Sequence, residues 1–473
     1  MGAALRRMLS RLNICSKESV VRQYDHEVQG GSVVKPLTGA ANDGPSDASV
    51  IRPLLDTLEG IVIANGICPR YSDIDAYDMA ACAIDEAVRN AVAVGADPDY
   101  LAGLDNFCWC DPVASEKTPD GEYKLAQLVR ANQAVYDYTT AYGVPCISGK
   151  DSMKNDYAIE GTKISIPPTL LYSVIGRIAD VRRAVTMDAK RAGDIVYVLG
   201  ETKNELGGSE WYALHGQVGD NCPRVDGAAA KRLYAALHRA ITAGLVASCH
   251  DCSDGGLGIT LAETAFAGGL GMEVDLRQVP RRDLDRDDYV LFSETASRFV
   301  VTVAPDKREA FEAIITGQEP VSTSGYIGGN AKDGIPAFTP PTGSANVNKL
   351  SAEATQNDAG TAPITEPSID EKAPVSVGEG GAVLGNDPEA APAQQGMPPT
   401  TATTAKAEKE ASIGTTNGGV SSAGRSNGAL PVAFAAVGVV TAAPFLTIRG
   451  LGGNIILNEP LAELKAAWQR PLP

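Results

Sequence analysis

The sequence predicts an α/β (α+β) protein made of two domains, with an insertion in the second. Short apolar runs alternate with amphipathic stretches over residues 36–180 and 181–317, and the alternation returns at 432–473. Residues 318–431 instead consist mainly of Ala, Thr, Gly, Pro, Ser and Glu, without clear periodicity. Such a segment cannot bury enough apolar surface to offset its ordering entropy, so we expect it to be disordered. Residues 1–35 form a charged and then Gly-rich lead-in.

The first domain is expected to contain four strands and two helices. The helix at 75–95 begins at an Asp, whose side chain can accept hydrogen bonds from free backbone N–H groups, and ends at a Gly. The helix at 125–142 is also followed by a Gly. The strands are short and apolar, and we expect them at 61–67, 100–107, 144–149 and 169–178.

The second domain repeats this alternation. A strongly periodic stretch predicts a helix at 228–247, and the Gly-rich loop 252–258 leads into a helix at 259–267. Three apolar runs and a helix at 461–468 follow the insertion, so we expect them to complete this domain. The remaining elements are a helix at 307–316 and strands at 194–200, 272–276 and 298–303.

The composition excludes several classes of protein. The 473 residues carry a net charge of −17, whereas nucleic-acid binding needs a concentrated Lys and Arg face. No run approaches the roughly 20 apolar residues of a membrane span. Nine cysteines in a long chain without a secretory signal indicate a reduced, cytoplasmic protein. The basic, amphipathic start is also compatible with a transit peptide, but no clear cleavage signal follows it.

Two side chains on one predicted helix suggest a metal site, and a further acid, Asp47, is a candidate for chemistry. Glu86 and Asn90 are spaced i, i+4 on a predicted helix, so both project from one face, among small alanines. Carboxylate and amide oxygens suit a hard cation such as Mg²⁺. Asp47 follows a Gly-Pro turn and is expected at a junction between a loop and a strand. A solvated polar stripe and a surface acid are the simpler interpretations of these residues.

Two loops suggest phosphate binding. In PCISGKDSMKND a strand runs into Gly149, and Lys150, Asp151 and Ser152 supply a cation, a carboxylate and a hydroxyl. In HDCSDGGLG, acids and glycines precede a helix, where backbone N–H groups favour an anion. An ordinary polar turn and a plain helix cap explain the same patterns without a ligand. His250, in the second loop, is a possible general base but is equally compatible with a structural role.

Five motifs together resemble one enzyme family. They are RQYDHEVQGGSVVKPL, LDNFCW, ISGKDSMKND, HDCSDGGLG and LFSETASRFVVTV. They resemble the synthetase portion of phosphoribosylformylglycinamidine synthase, within the ATP-binding superfamily that includes aminoimidazole ribonucleotide synthetase. The resemblance covers the chain outside the low-complexity insertion. It implies that superfamily's pair of N-terminal and C-terminal domains, with N-terminal domains that pair through their strands.

The resemblance also implies roles for single residues. The family's synthetase contains two copies of the domain pair. This chain resembles the last part of the first copy followed by the second copy. No counterpart of the family's catalytic histidines is present. Some relatives have Asn as a metal ligand at the position of Lys150. The positions matching magnesium ligands are Asp47, Glu86, Asn90 and Asp251, and those near nucleotide or substrate are Asp105, Gly149, Lys150, Asp151, Ser152 and Ser253.

The implied reaction uses ATP and Mg²⁺. ATP activates the amide oxygen of formylglycinamide ribonucleotide as an iminophosphate, and ammonia from glutamine then displaces phosphate. We hypothesise that the chain is one piece of a split synthetase, which acts with a partner bearing the first half and with a glutaminase. One alternative is a non-catalytic half that holds ADP and Mg²⁺ as a structural element. Another is a kinase-like member of the superfamily for thiamine phosphate or selenophosphate, against which LDNFCW and GKDSM argue.

Overall fold

The computed structural model of the chain describes residues 1–318 and 432–472. The predicted disorder of the insertion at 318–431 therefore concerns residues almost wholly outside the described part. Within that part, no helix combines the length and the apolar character needed to cross a bilayer. All nine cysteines are free thiols.

A six-stranded sheet forms the first half of the fold. Its strand order is β1-β2-β3-β8-β4-β5, and all neighbours are antiparallel except β4 and β5. A separate hairpin, β6–β7, follows β5. The bounds of the strands are β1 Ser32–Val34, β2 Ser49–Ile51, β3 Gly60–Ile67, β4 Leu101–Cys108, β5 Cys146–Ser152, β6 Asp156–Ile159, β7 Thr162–Ser165 and β8 Thr169–Ile178. The helices of this region are α1 Gly2–Leu9, α2 Glu18–Val21, α3 Ala76–Ala93 and α4 Gly121–Tyr142.

A seven-stranded sheet forms the second half. Its order is β10-β12-β9-β13-β11-β14-β15, so the segment after residue 431 supplies β13 between β9 and β11. The strands are β9 Ile195–Leu199, β10 Val246–Asp251, β11 Gly271–Asp275, β12 Phe299–Val303, β13 Phe434–Thr441, β14 Phe445–Arg449 and β15 Ile455–Pro460. The helices are α5 Glu210–Leu214, α6 Gly227–Thr242, α7 Gly256–Gly268, α8 Asp287–Phe292, α9 Arg308–Thr316 and α10 Leu461–Gln469.

The helix predicted at 228–247 is wrong at its C-terminal end. Helix α6 begins after Asp226, whose carboxylate accepts a hydrogen bond from the Ala229 N–H, and it ends at Thr242. Gly244 adopts a φ of +70°, which a side chain would strain. The chain then enters β10, which pairs with β12. Periodicity could not reveal this strand, because short apolar runs fit helix and strand equally well.

Helix α3 lies at the centre of the fold. It packs on β3 and β8 of the first sheet and also contacts α6 and β10 of the second half. Most of its residues are buried, and its many alanines allow neighbours on every side to approach closely. Gly66 of β3 is part of this fit, since a Cβ there would lie 2.8 Å from the Glu86 Cβ. The helix therefore brings polar side chains to the junction of the two halves.

The two faces of the first sheet differ. Along β3 and β8, one face is buried under α3, whereas the other is open. Ile63, Ile67 and Ile175 lie on the open face and are 47%, 42% and 42% exposed. Edge strand β5 is exposed along nearly its whole length. Apolar side chains that alternate onto an open sheet face are typical of a surface that a partner covers.

Candidate nucleotide and metal site

One turn of helix α3 presents Glu86, Arg89 and Asn90 at the junction of the two halves. The Glu86 carboxylate accepts hydrogen bonds from the Ile67 N–H at 2.8 Å and from the Cys68 thiol at 3.5 Å. The Asn90 side chain donates to the Asn65 carbonyl at 3.1 Å. Its Oδ1 is buried and has no hydrogen-bond partner among the described residues. Both members of the predicted i, i+4 pair therefore contact the backbone of strand β3.

Asp47 lies in the loop before β2 and contacts the end of β10. Its Oδ1 accepts hydrogen bonds from His250 Nδ1 at 2.7 Å and from the Asp251 N–H at 3.3 Å. Its Oδ2 is buried and lacks a partner within residues 1–318 and 432–472. Ligand atoms of Asp47, His250 and Asp251 all lie within 4.8 Å of one another. The structure thus brings Asp47 and Asp251 together, although about 200 residues separate them.

His250 supports this cluster through both ring nitrogens. Its Nε2 lies 3.1 Å from a carboxylate oxygen of Glu263, opposite the contact with Asp47. Burial alone would lower the pKa of His250, but these two carboxylates raise it well above its ordinary value. The imidazole is therefore held as a cation between two acids. This arrangement favours the structural interpretation of His250 over general-base chemistry.

Arg89 links the two halves of the fold. Its Nη1 donates to Asp85 at 2.6 Å, while Nε and Nη2 donate to Asp251 Oδ2 at 3.2 and 3.0 Å. Burial raises the pKa of Asp251 to about 6, although the Arg89 charge opposes the shift. Ser253, two residues later, approaches Asp251 Oδ1 at 3.4 Å.

Further carboxyl groups lie close to Arg89 and Asp251. Burial, with the charges of Asp251 and Asp254 nearby, raises the pKa of Glu86 to about 8. Burial also raises the pKa of Asp254 to about 7 and that of Glu294 to about 8. A cavity of about 20 Å³ lies among Glu86, Asp254 and Glu294. Carboxyl groups crowded at low dielectric hold protons until a cation replaces them.

The donor set fits a magnesium ion. Asp47 Oδ2 and Asn90 Oδ1, which have no partner in the described part of the chain, are hard ligands, and Glu86 and Asp251 add two carboxylates. A buried oxygen without a hydrogen bond costs free energy, which a bound cation would recover. Asp47, Glu86, Asn90 and Asp251 are thus the residues that could hold the metal.

A larger cavity of about 240 Å³ lies next to the acids. Asp254, Lys17 and Arg70 line it, together with parts of the lead-in and of the segment after β3. The Lys17 ammonium donates to the Cys15 carbonyl at 2.5 Å, which holds it at this position. Two cations beside an acidic metal site suit the phosphates of a nucleotide. Lys17 and Arg70 belong to no local motif, so the sequence alone did not indicate them.

The start of helix α7 differs from the prediction of an anion site. Gly255 and Gly256 adopt positive φ values of 80° and 64°, as the Gly-rich loop suggested. However, the Gly255 N–H donates to Glu294 Oε1 at 2.7 Å, and the Gly256 N–H donates to the Ser253 carbonyl. These donors are therefore used inside the protein. Glu294 lies 39 residues from Gly255 in the chain, so no local pattern could reveal this cap.

The structure separates the predicted GKDS loop from the acids. GKDS lies on β5, three strands away from β3 in the sheet, or about 14 Å at the usual strand spacing. Its register with β4 places Lys150 and Ser152 on the open face, and Gly149 and Asp151 on the other with Asp105. A Cβ at Gly149 would lie 2.7 Å from Asp105 Oδ1. Partial burial and the charge of Asp151 raise the pKa of Asp105.

Comparisons with known proteins agree with this architecture. Two family models match the chain: AIR synthase related protein, N-terminal domain, over residues 45–178, and AIR synthase related protein, C-terminal domain, over residues 191–335. Phosphoribosylformylglycinamidine synthase subunit PurL of Methanocaldococcus jannaschii is 36% identical over 312 residues, which cover 65% of this chain and 40% of the relative. The subunit of Alkaliphilus metalliredigens is 36% identical over 314 residues, covering 66% and 39%. The chain thus spans about two-fifths of the length of these curated relatives.

Solved structures show the same fold. T. maritima PurL complexed with FGAR aligns with a TM-score of 0.55 and 16% identity, over 98% of this chain and 52% of that one. T. maritima PurL complexed with ADP aligns with a TM-score of 0.51 and 17% identity, over 92% and 47%. At these identities the likeness concerns the fold alone.

Proposed function

The chain belongs to the AIR synthase related family, and from that premise we propose that it acts as the second half of the synthetase part of phosphoribosylformylglycinamidine synthase. That enzyme converts formylglycinamide ribonucleotide to formylglycinamidine ribonucleotide with ATP, in purine biosynthesis in the cytoplasm. The observation that carries the proposal is the set of Asp47, Glu86, Asn90 and Asp251, in which two buried oxygens lack a partner among the described residues. We assign the two family domains to residues 36–180 and to 181–317 plus 432–473.

The side chains around the site have separable tasks. Asp47, Glu86, Asn90 and Asp251 would hold Mg²⁺, which when bound offsets the charge of nucleotide phosphates. Lys17 and Arg70 line the adjoining cavity and would bind phosphate oxygens directly. Ser253 offers a hydroxyl next to Asp251. The acids lie at the junction of the two halves of the fold, and Lys17 and Arg70 lie at the more open side of it.

A partner is part of the proposal. The chain spans about two-fifths of its relatives, and the open face of its first sheet carries exposed isoleucines. We infer that a protein bearing the first half of the synthetase covers this face, and that a glutaminase supplies ammonia. Lys150 and Ser152 lie on the same face and would contact formylglycinamide ribonucleotide once the partner completes the site.

A second candidate function is a structural nucleotide site. The enclosure of the acids favours it, because the cavity among Glu86, Asp254 and Glu294 is only about 20 Å³. The structurally similar T. maritima protein has been described as complexed with ADP. In this case ADP and Mg²⁺ would stabilise the junction and the assembly without turning over.

Binding and turnover measurements test both candidates. We expect the full chain to bind ADP only when Mg²⁺ is present, and Asp251→Asn to weaken that binding by about 100-fold or more, since second-layer changes alone typically cost 10–100-fold. Asp194→Asn, a buried acid of the second half near Arg191 and Lys307, is the matched control and should bind normally. Equal affinity in wild type and Asp251→Asn would contradict the site.

The nucleotide's fate separates the candidates. ADP released on denaturation that does not exchange with added ATP supports the structural role. Exchange, together with substrate-dependent ATP consumption when the partner proteins are present, supports catalysis. Turnover of formylglycinamide ribonucleotide with ATP and ammonia by this chain alone would contradict the need for a first-half partner.

A further inference from the structure

Asp85 gathers five hydrogen bonds on one buried carboxylate. Its Oδ1 accepts from the hydroxyls of Tyr142 and Tyr234, each at 2.5 Å, and of Ser297 at 2.9 Å. Its Oδ2 accepts from Arg89 Nη1 at 2.6 Å and from the Ser297 N–H at 3.0 Å. The donors come from α3, α4, α6 and the segment before β12, so both halves of the fold meet at this carboxylate.

Asp85 shares a single cation with a metal-site residue. Arg89 divides its donors between Asp85 and Asp251, and the described residues offer no other acid within salt-bridge distance of it. The two carboxylates therefore share the hydrogen-bond donors of one guanidinium. Without Asp85, all donors of the Arg89 guanidinium could bind Asp251. The guanidinium would then neutralise this carboxylate and compete with a metal ion for it.

We propose that Asp85 is a positioning residue, which fixes Arg89 so that Asp251 keeps the orientation and the charge needed to bind the metal of the nucleotide. The inference rests on the proposed function and deepens it. Asp85 would thereby couple the packing of the two halves against each other to the affinity of the site for the metal of the nucleotide. The bond to Ser297 supports this link, because Ser297 adopts a φ of +59° that the hydrogen bonds of its N–H and Oγ help to hold.

Asp85→Asn is the variant that tests the link. An amide lacks the negative charge that attracts the Arg89 guanidinium, so we expect the guanidinium to shift from residue 85 towards Asp251. We expect faster hydrogen exchange in the peptide around Asp251 in the nucleotide-free full chain. We also expect Mg²⁺-dependent ADP binding to weaken by about 10–100-fold, as for other changes behind a metal ligand.

Tyr234→Phe provides the matched control. It removes one of the five hydrogen bonds and leaves the contact between Asp85 and Arg89 intact. Its melting temperature should fall, while exchange near Asp251 and affinity for Mg²⁺ with ADP stay within about twofold of wild type. If Asp85→Asn does not fold, Arg89→Lys tests the same link, because one ammonium cannot hold both carboxylates in the geometry of the fork.

The outcomes are distinct. Local loosening around Asp251 together with weaker metal-dependent binding in Asp85→Asn or Arg89→Lys, but not in Tyr234→Phe, supports the inference. Unchanged exchange around Asp251, or equal losses of binding in the test and control variants, overturns it. A wild-type chain that binds no nucleotide contradicts the proposed function and the metal role inferred for Asp85, whereas the exchange data still report whether Asp85 holds Asp251.

Discussion

The acids at the junction and strand β5 differ in how the protein supports them. Asp47, Glu86 and Asp251 are each held by defined donors inside the chain, such as His250 or Arg89. Lys150 and Asp151 on β5 are exposed, at the edge of a sheet whose open face carries isoleucines. The candidate metal ligands at the junction are thus held by contacts within this chain, whereas Lys150 and Asp151 have no such support among the described residues.

The largest expected loss of stability comes from removing the cation at the junction. Arg89→Met leaves Asp85 and Asp251 buried without their counter-ion, which typically costs about 3–5 kcal/mol. The measurement is the free energy of unfolding from urea titration. Arg308→Met, which breaks an exposed i, i+4 pair with Glu312, is the control and should cost under about 0.5 kcal/mol. Similar losses in the two variants would contradict the contrast between junction and surface.

A smaller change in stability, which depends on pH, is expected from substitution of Glu294. Its pKa of about 8 in the folded protein lies above the ordinary value of 4.5, because burial and the charge of Asp254 disfavour ionisation. The folded state therefore holds an extra proton, and the stability this gives is lost as the pH rises through 8. Glu294→Gln mimics the protonated form and keeps acceptors for Gly255 and Glu210.

We therefore expect Glu294→Gln to gain stability relative to wild type between pH 5 and 9, on the order of 1 kcal/mol. Thermal or urea unfolding across that range, without added metal, provides the measurement. Glu122→Gln on the exposed side of α4 is the control, and its stability should change with pH in the same way as that of wild type. If the stability of Glu294→Gln followed that of wild type at every pH, the Glu294 carboxyl would be ionised inside the protein.

The smallest effect on the chain itself is expected on β5. Lys150→Met should change the free energy of unfolding by no more than about 0.5 kcal/mol, because the side chain is exposed and lacks a partner among the described residues. In a reconstituted complex with the first-half partner and glutaminase, the same variant should lower turnover by about 10-fold or more. Lys117→Met in an exposed loop is the control. Normal turnover by the complex that contains Lys150→Met would contradict a role for β5 in the substrate site.

Local pattern was sufficient for part of the site. Glu86 and Asn90 were recognisable because helical spacing puts them on one face, and α3 has that geometry. The strand β10 was missed, because its apolar run continued the periodicity of α6. Glu294 and Lys17 carry no local signal, since each acts on residues far away in the chain.

The sequence by itself determined the alternation of helices and strands, the Gly-rich turns and the types of side chain available for a metal and a nucleotide. These follow from short-range periodicity and backbone freedom, which a few neighbouring residues specify. Only the tertiary structure decided that Asp47 meets Asp251, that Arg89 is shared with Asp85, and that Lys150 lies apart on an open sheet. Those outcomes depend on packing between distant segments, where burial and pairing of charge set which contacts form.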